Sequence, residues 1–257
     1  MDYRYGYKKK KEEVSISVKI SLYVLGIVIA FIPLIVRATV HNVNLSRFPW
    51  FGFGDETLDV FLKVKGQVLV AVAVVMILIL AFNMFLEAKA VKPPVWMYLV
   101  FGYAGLTTVS TLISEYRSYG FNGMFEQHET LWVILAYCVV LIYAFMVAKD
   151  SYGIKFVRAA LGVLAVIQSV IGLSQLVGAD FWGTKLGRYI IIPSSFDNAD
   201  SIRDTLSFTF SGSGNHQVYL TLYNPNYVGS YAALMFPIFF VLSLFSKKLW
   251  KKVFWGV

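Results

Sequence analysis

The sequence is short of charge, of cysteine and of histidine. Only 15% of its residues are Asp, Glu, Lys or Arg and 58% are hydrophobic, where soluble domains carry about 25% and about 45–50%. That balance excludes a water-soluble globule. The single cysteine, Cys138, excludes an internal disulfide, and its place inside an apolar run makes it a small buried hydrophobe. Three histidines in 257 residues, with no H-E-x-x-H pattern, leave no metal centre and no cofactor to expect. The net charge is +8, but no basic face is interleaved with aromatics, so nucleic acid is not an expected partner. Internal repeats are absent, and the cluster Lys8–Lys11 is the one low-complexity feature.

What the chain does have is long apolar runs. Six of them, at about 18–36, 66–86, 94–113, 130–148, 156–177 and 227–245, match the roughly 20 helical residues that cross a hydrocarbon layer about 30 Å thick. Lys19 and Arg158, each near the start of its run, are the only charges inside any run. The first run follows a basic stretch but has no small-residue cleavage site, and Arg37 closes it, so it reads as an uncleaved span. The expected fold is therefore an all-α polytopic membrane protein, with residues 1–17 a basic cytoplasmic N-terminus and 18–257 the transmembrane domain.

Basic residues at span ends stay on the cytoplasmic side. With the N-terminus inside, Arg4, Lys8–Lys11, Lys19, Lys89, Lys92, Lys149, Lys155, Arg158, Lys247, Lys248, Lys251 and Lys252, 15 of the 23 basic residues, face the cytoplasm. Membrane lipids with anionic headgroups are partners on that side. The outer loops are then 37–65, 114–129 and 178–226, much longer than the inner ones, and chemistry is expected there. In the first, Trp50, Phe51 and Phe53 read as interfacial anchors, and Asn44-Leu45-Ser46 has the form of a glycosylation acceptor. In the third, "LSFTF" (206–210), "SGSGNH" (211–216) and "QVYLTLY" (217–223) alternate, turn and alternate again, which predicts a β-hairpin. Pro193 ends a short segment upstream, ahead of a polar turn that leads into Ser201–Asp204.

Asn224 and Pro225 stand where that loop enters the sixth run. Proline biases the preceding residue out of the helical region and fits a first helical position, so Asn224 reads as N-cap and Pro225 as the first residue of a helix. The positive helix end then points to the outer interface, where it suits an anion; starting a span is the plainer purpose of the same residues. Pro237 is expected to kink the helix.

The segment "TLYNPNYVGSYAALMFPIFF" (221–240) resembles the stretch that opens a mid-chain span in the O-antigen ligase and Wzy-type polysaccharide polymerase family, and "SEYRSYGFNGMFEQHETLWVILAYCVV" (114–140) resembles that family's short outer loop and following span. The resemblance covers about residues 66–257 and implies a glycosyltransferase of the GT-C kind. Such enzymes take a glycan from an undecaprenyl pyrophosphate carrier on the outer face of the plasma membrane and pass it to a hydroxyl, sometimes beside other polysaccharide-assembly proteins. Their arginines hold the pyrophosphate leaving group, and their base is a histidine in a later outer loop. The residues here therefore read as the N-terminal half, with the catalytic base expected beyond Val257 and no catalytic residue assigned before it. "KKLWKKVFWGV" (247–257) reads as an inner loop followed by the start of a seventh span.

Carried onto this sequence, the pyrophosphate-binding candidates are Arg117, Arg188 and Arg203, with Asn224, Asn226 and Tyr227 from the helix start. Family members often place an arginine just before the motif; His216 and Gln217 stand there instead, and His216 supplies only a pH-dependent charge. Arg117 also suits an interfacial arginine paired with Glu115. Glu126, with Glu129, suits a carboxylate that orients a sugar hydroxyl or pairs with Arg117. Thr107, Thr108, Ser110, Thr111 and Ser114 suit back-bonding to helix carbonyls, or a polar groove. Two other classes remain open: a transporter or flippase, disfavoured by the lack of charge at mid-membrane depth, and a non-catalytic partner in polysaccharide export.

Overall fold

The computed structural model describes residues 15–42, 48, 56–87, 94–124, 127–206 and 217–256. Its long helices are α1 (Ile16–Gly26, prolonged to Leu34 by a π turn and a 3-10 turn), α2 (Lys63–Glu87), α3 (Val95–Ile113), α5 (Leu131–Val147), α6 (Ser151–Leu176) and α9 (Pro225–Leu244). Shorter ones are α4 (Arg117–Asn122), α7 (Lys185–Ile191), α8 (Ala199–Thr205) and α10 (Leu249–Gly256). Among the described residues five helical stretches, Ile16–Leu34, Lys63–Phe85, Val95–Ile113, Ser151–Leu176 and Pro225–Leu244, are long and apolar enough to cross a membrane. The expected span at 130–148 is α5, which at 17 residues reaches about 25 Å and falls short of a full crossing by length. The helix expected to follow the last inner loop is α10, which is described as far as Gly256; Val257 lies outside the described residues.

The helix starts are encoded locally. Ser15 Oγ accepts the Val18 N–H, Thr130 Oγ1 the Val133 N–H and Asp150 Oδ1 the Gly153 N–H, each relieving a donor that the first helical turn leaves unpaired. Asp59 Oδ1 does the same for Leu62 and Lys63 at the start of α2. The helix exteriors are apolar: Phe85, Val95 and Ile113 are 84%, 82% and 80% exposed. Faces of this kind belong in hydrocarbon, which makes the chain a multi-pass membrane protein.

Inside the bundle α1, α2 and α5 share a core of Leu25, Ile32, Leu69, Ala73, Met76, Val133 and Tyr143. Polar contacts fix their register. Ser17 Oγ donates to Asn83 Oδ1 at 2.5 Å, and the buried Tyr143 hydroxyl donates to the Ser21 carbonyl at 3.0 Å. Where Pro33 can offer no N–H, α1 widens into the π turn Ile27–Phe31, in which the Ile32 N–H reaches back to the Ile27 carbonyl.

One end of the bundle carries a cap with its own core, in which Val36, Ala38, Phe61, Trp182, Ile191, Ile192 and Tyr219 are buried together. Here two short antiparallel strands, β1 (Thr39–Asn42) and β2 (Glu56–Asp59), pair with Thr39 opposite Asp59 and Asn42 opposite Glu56. Sequence periodicity did not point to them. The hairpin expected over 206–223 is corrected in its second half: residues 217–219 are irregular and 220–223 form a turn and a bend, with Leu220 and Tyr223 at φ 55° and 84°. A left-handed backbone at two positions cannot keep a strand's alternation. Residues 207–216, and with them the hairpin's first strand and turn, lie outside the described residues.

Candidate functional site

The segment 217–224 delivers α9 to the capped end. Tyr219, Leu220 and Thr221 are 2%, 6% and 0% exposed, so their backbone must find partners other than water. Gln175, near the end of α6, supplies several: its Oε1 accepts the N–H groups of Tyr219 and Leu220 at 3.0 and 2.7 Å, and its Nε2 donates to the Leu220 carbonyl at 3.2 Å. Trp182 Nε1 donates to the same carbonyl, and the Tyr219 hydroxyl donates to Asp180. Burial and then the Asp180 carboxylate hold that phenol well above the usual tyrosine range. Gln168 Nε2 donates to Thr221 Oγ1 at 2.6 Å, Thr221 Oγ1 donates to the Pro33 carbonyl at 2.7 Å, and the Lys65 ammonium donates to the Thr221 carbonyl. Side chains from α6 and α2, with the Pro33 carbonyl at the end of α1, thus replace a β-ladder.

Immediately after this anchored segment, Asn224 takes an extended backbone and its Oδ1 accepts the N–H groups of Asn226 and Tyr227 at 2.8 and 3.2 Å. The expected N-cap and the proline at the first helical position are both present. Pro225, Asn226 and Tyr227 are exposed, so the helix start is open.

A cavity of about 930 Å³ lies beside it. Its mouth is polar, with Lys65, Arg117, Gln127, Glu129 and Tyr227, and its wall runs down the bundle along Val28, Ile32, Leu69, Val133 and Val140. Alternating helix direction brings these groups together: the ends of α1 and α3 and the starts of α2, α5 and α9 all meet here. The first wall residue lies in the π turn of α1 and the second directly after it, a distortion common beside ligand sites.

His128 lines this cavity and a second one of about 760 Å³ that also holds His41, Lys63 and Trp132. His128 Nε2 lies 3.4 Å from Asp59 Oδ2, and the rings of His128 and His41 meet edge to face at 5.0 Å. Burial pushes both imidazoles below the ordinary histidine value, against the pull of Asp59, and the Lys63 charge adds to the depression of each. Among the described residues, His41 Nε2 is buried without a hydrogen-bond partner. Gly123, which ends α4, makes room for the loop: at φ 80°, a Cβ here would lie 3.1 Å from His128 Nδ1 and from the Gln127 carbonyl.

Among the sequence-derived candidates, Arg117 and Tyr227 line the first cavity and Asn224 and Asn226 form the helix start beside it. Arg117 is exposed, and among the described residues no salt bridge joins it to Glu115. Arg188 and Arg203 stand in the cap, away from the cavity lining. Arg203 reaches Asp200, the Ile192 carbonyl and Ser194 and stacks 4.1 Å over Tyr189, while Arg188 donates to the carbonyls of Arg203 and Asp204. Both guanidiniums brace α7 and α8. Gln217 precedes the buried segment and does not line the cavity. Glu126 and His216, with Trp50, Phe51, Phe53 and Asn44, lie outside the described residues, as does the base expected beyond Val257. Thr107, Thr108 and Thr111 bond back to the carbonyls of Tyr103, Ala104 and Thr107, while Ser110, Thr111 and Ser114 line the cavity.

Lys65, Asp59 and Gln175 carry no role in the sequence reading. An N-terminal lysine of a span was its one available signal, because charge so close to an apolar run is uncommon without a partner. Among the described residues no group of three or more His, Cys, Asp or Glu side chains is placed to hold a metal ion. No family model, curated protein or solved structure matches the chain.

Proposed function

We propose that the protein is a membrane glycosyltransferase of the O-antigen ligase or polysaccharide polymerase type, and that the 930 Å³ cavity receives the pyrophosphate end of an undecaprenyl carrier at the outer face of the plasma membrane. The observation that carries the reading is the cavity's two-part lining. Arg117 and Lys65 stand with an exposed helix start at the mouth, above an apolar wall from Val28 to Val140. A ligand that fits must carry anionic oxygens at one end and hydrocarbon at the other. A lipid pyrophosphate does, and a free sugar does not.

The division of labour follows from charge. Transfer breaks the bond between the sugar's anomeric carbon and a phosphate oxygen and forms a bond from that carbon to the acceptor oxygen, whose proton goes to a base. Negative charge grows on the departing pyrophosphate. The Arg117 guanidinium is permanently charged and forks onto phosphate oxygens, and the Lys65 ammonium keeps donors beyond the one given to Thr221. The N–H groups at the start of α9 add partial positive charge. Glu129 and Gln127, exposed at the same mouth, suit sugar hydroxyls. The family resemblance assigns the base to a later outer loop, beyond Val257. The placement of Lys155, Arg158, Lys247, Lys248 and Lys251 at the opposite end supports an extracytoplasmic mouth.

The full-length protein, reconstituted with an undecaprenyl-pyrophosphate-linked glycan and acceptor, tests this. Arg117→Ala should slow release of glycan from the carrier about 100-fold or more while the protein stays inserted in the membrane. Transfer at the unaltered rate would refute the assignment.

A further inference from the structure

At the opposite end of the bundle, α6 and the turn between α9 and α10 enclose a separate cavity of about 760 Å³. Its rim carries Lys155, Arg158, Lys247, Lys248 and Lys251. Among the described residues no carboxylate makes a salt bridge with any of the five. The nearest acid in sequence, Asp150, spends Oδ1 on the Gly153 N–H as the cap of α6. Below the rim the lining turns apolar: Gly162 removes bulk from the face of α6, and Val163, Val166 and Ile167 lie exposed along it. From Lys155 to Ile167 that face runs about 18 Å along the helix axis.

The helix α10 forms the other wall. Trp255 stacks on Phe239 of α9 at 5.4 Å and reaches Gly162, where a Cβ would lie 3.1 Å from its ring. Ser243 Oγ donates to the Lys252 carbonyl at 2.7 Å and ties α10 back to α9. Trp250, 62% exposed, carries Lys251 over its ring at 5.3 Å. Tryptophan and lysine side by side belong at the level of lipid headgroups, where one end of the ring is apolar and the other wet.

We infer that this cavity is a binding site for an anionic phospholipid of the leaflet at that end. The phosphate lies among Arg158, Lys155, Lys248 and Lys251, and an acyl chain lies along the exposed Val163, Val166 and Ile167. Charge complementarity selects the occupant: five cations with no salt-bridge partner among the described residues draw an anionic headgroup, and the apolar trough behind them needs hydrocarbon, which a soluble anion lacks. The lipid would fasten α10 and the end of α9 to α6.

Thermal unfolding of the purified full-length protein in detergent tests the site with phosphatidylglycerol, phosphatidylcholine and inorganic phosphate as probes. Saturating phosphatidylglycerol should raise Tm by about 5 °C, and the other two should leave it within about 1 °C of the lipid-free protein. Arg158→Gln/Lys251→Gln should remove most of the rise. Val166→Trp, which keeps every cation and fills the trough, should do the same and decides the matter if the double variant does not fold. An equal rise with phosphatidylcholine, a rise with phosphate alone, or a rise that survives Val166→Trp would each overturn the assignment.

Discussion

Gln175 shows how much one side chain can hold at a buried turn. Its amide satisfies the N–H groups of Tyr219 and Leu220 and the Leu220 carbonyl, so Gln175→Leu leaves buried donors unpaired and should cost roughly 2–5 kcal/mol, read as a lower unfolding midpoint in detergent. Gly123→Ala should destabilise the loop ahead of α5, because φ 80° disfavours any side chain and the space is filled by His128 and Gln127. The histidines set a pH dependence. Both are held below the ordinary value of 6.5, so the unfolded chain binds protons more readily than the folded one. Their contribution is full above about pH 6.5 and is lost as the pH falls through the folded values. Tm measured from pH 7.5 down to 5 should drop, and the drop should shrink in His41→Gln/His128→Gln. At this scale legibility follows range: Asn224 and Pro225 act on residues two or three away and were readable, whereas Gln175 bonds 44 and 45 residues ahead and Lys65 156 residues ahead, which no local pattern encodes.

Among the elements, α9 depends most on its start. Asn224→Ala removes the acceptor for two N–H groups and should cost about 1 kcal/mol of stability, whereas Asn224→Ser retains a side-chain cap. Transfer in the full-length protein should follow the same order if the helix start must stay ordered for the carrier. Loss of transfer in Asn224→Ser at unchanged stability would instead give the amide its own contact with substrate. The long helices were legible because apolar length is a one-dimensional signal. The strands β1 and β2 were not: each is four residues long, and the chain between them is rich in aromatics and glycine. The segment 217–223 misled for the opposite reason. Its apolar alternation is real, but Tyr219 and Leu220 are packed by tertiary partners in turns, and alternation alone cannot distinguish that from a strand.

For the whole molecule, two chemically different ends are the central feature. One end gathers a capped helix start, Arg117, Lys65 and a histidine pair around a cavity; the other gathers five cations around an apolar trough. Basic residues placed this way predict that the first end is extracytoplasmic. With Cys138 changed to Ser, Ser118→Cys should react with a membrane-impermeant thiol reagent in intact cells, and Lys248→Cys only after lysis. The reverse pattern would put the cavity on the wrong side for a lipid-linked glycan.

Equilibrium binding to the full-length protein tests the proposed carrier site most directly, comparing undecaprenyl pyrophosphate with undecaprenol, which shares the chain and lacks the phosphates. Charged hydrogen bonds each contribute about 1.5–3 kcal/mol, so the pyrophosphate should bind at least about 10-fold more tightly, and Arg117→Ala should remove most of that advantage. Equal affinity for the two lipids, or an advantage untouched by Arg117→Ala, would contradict it.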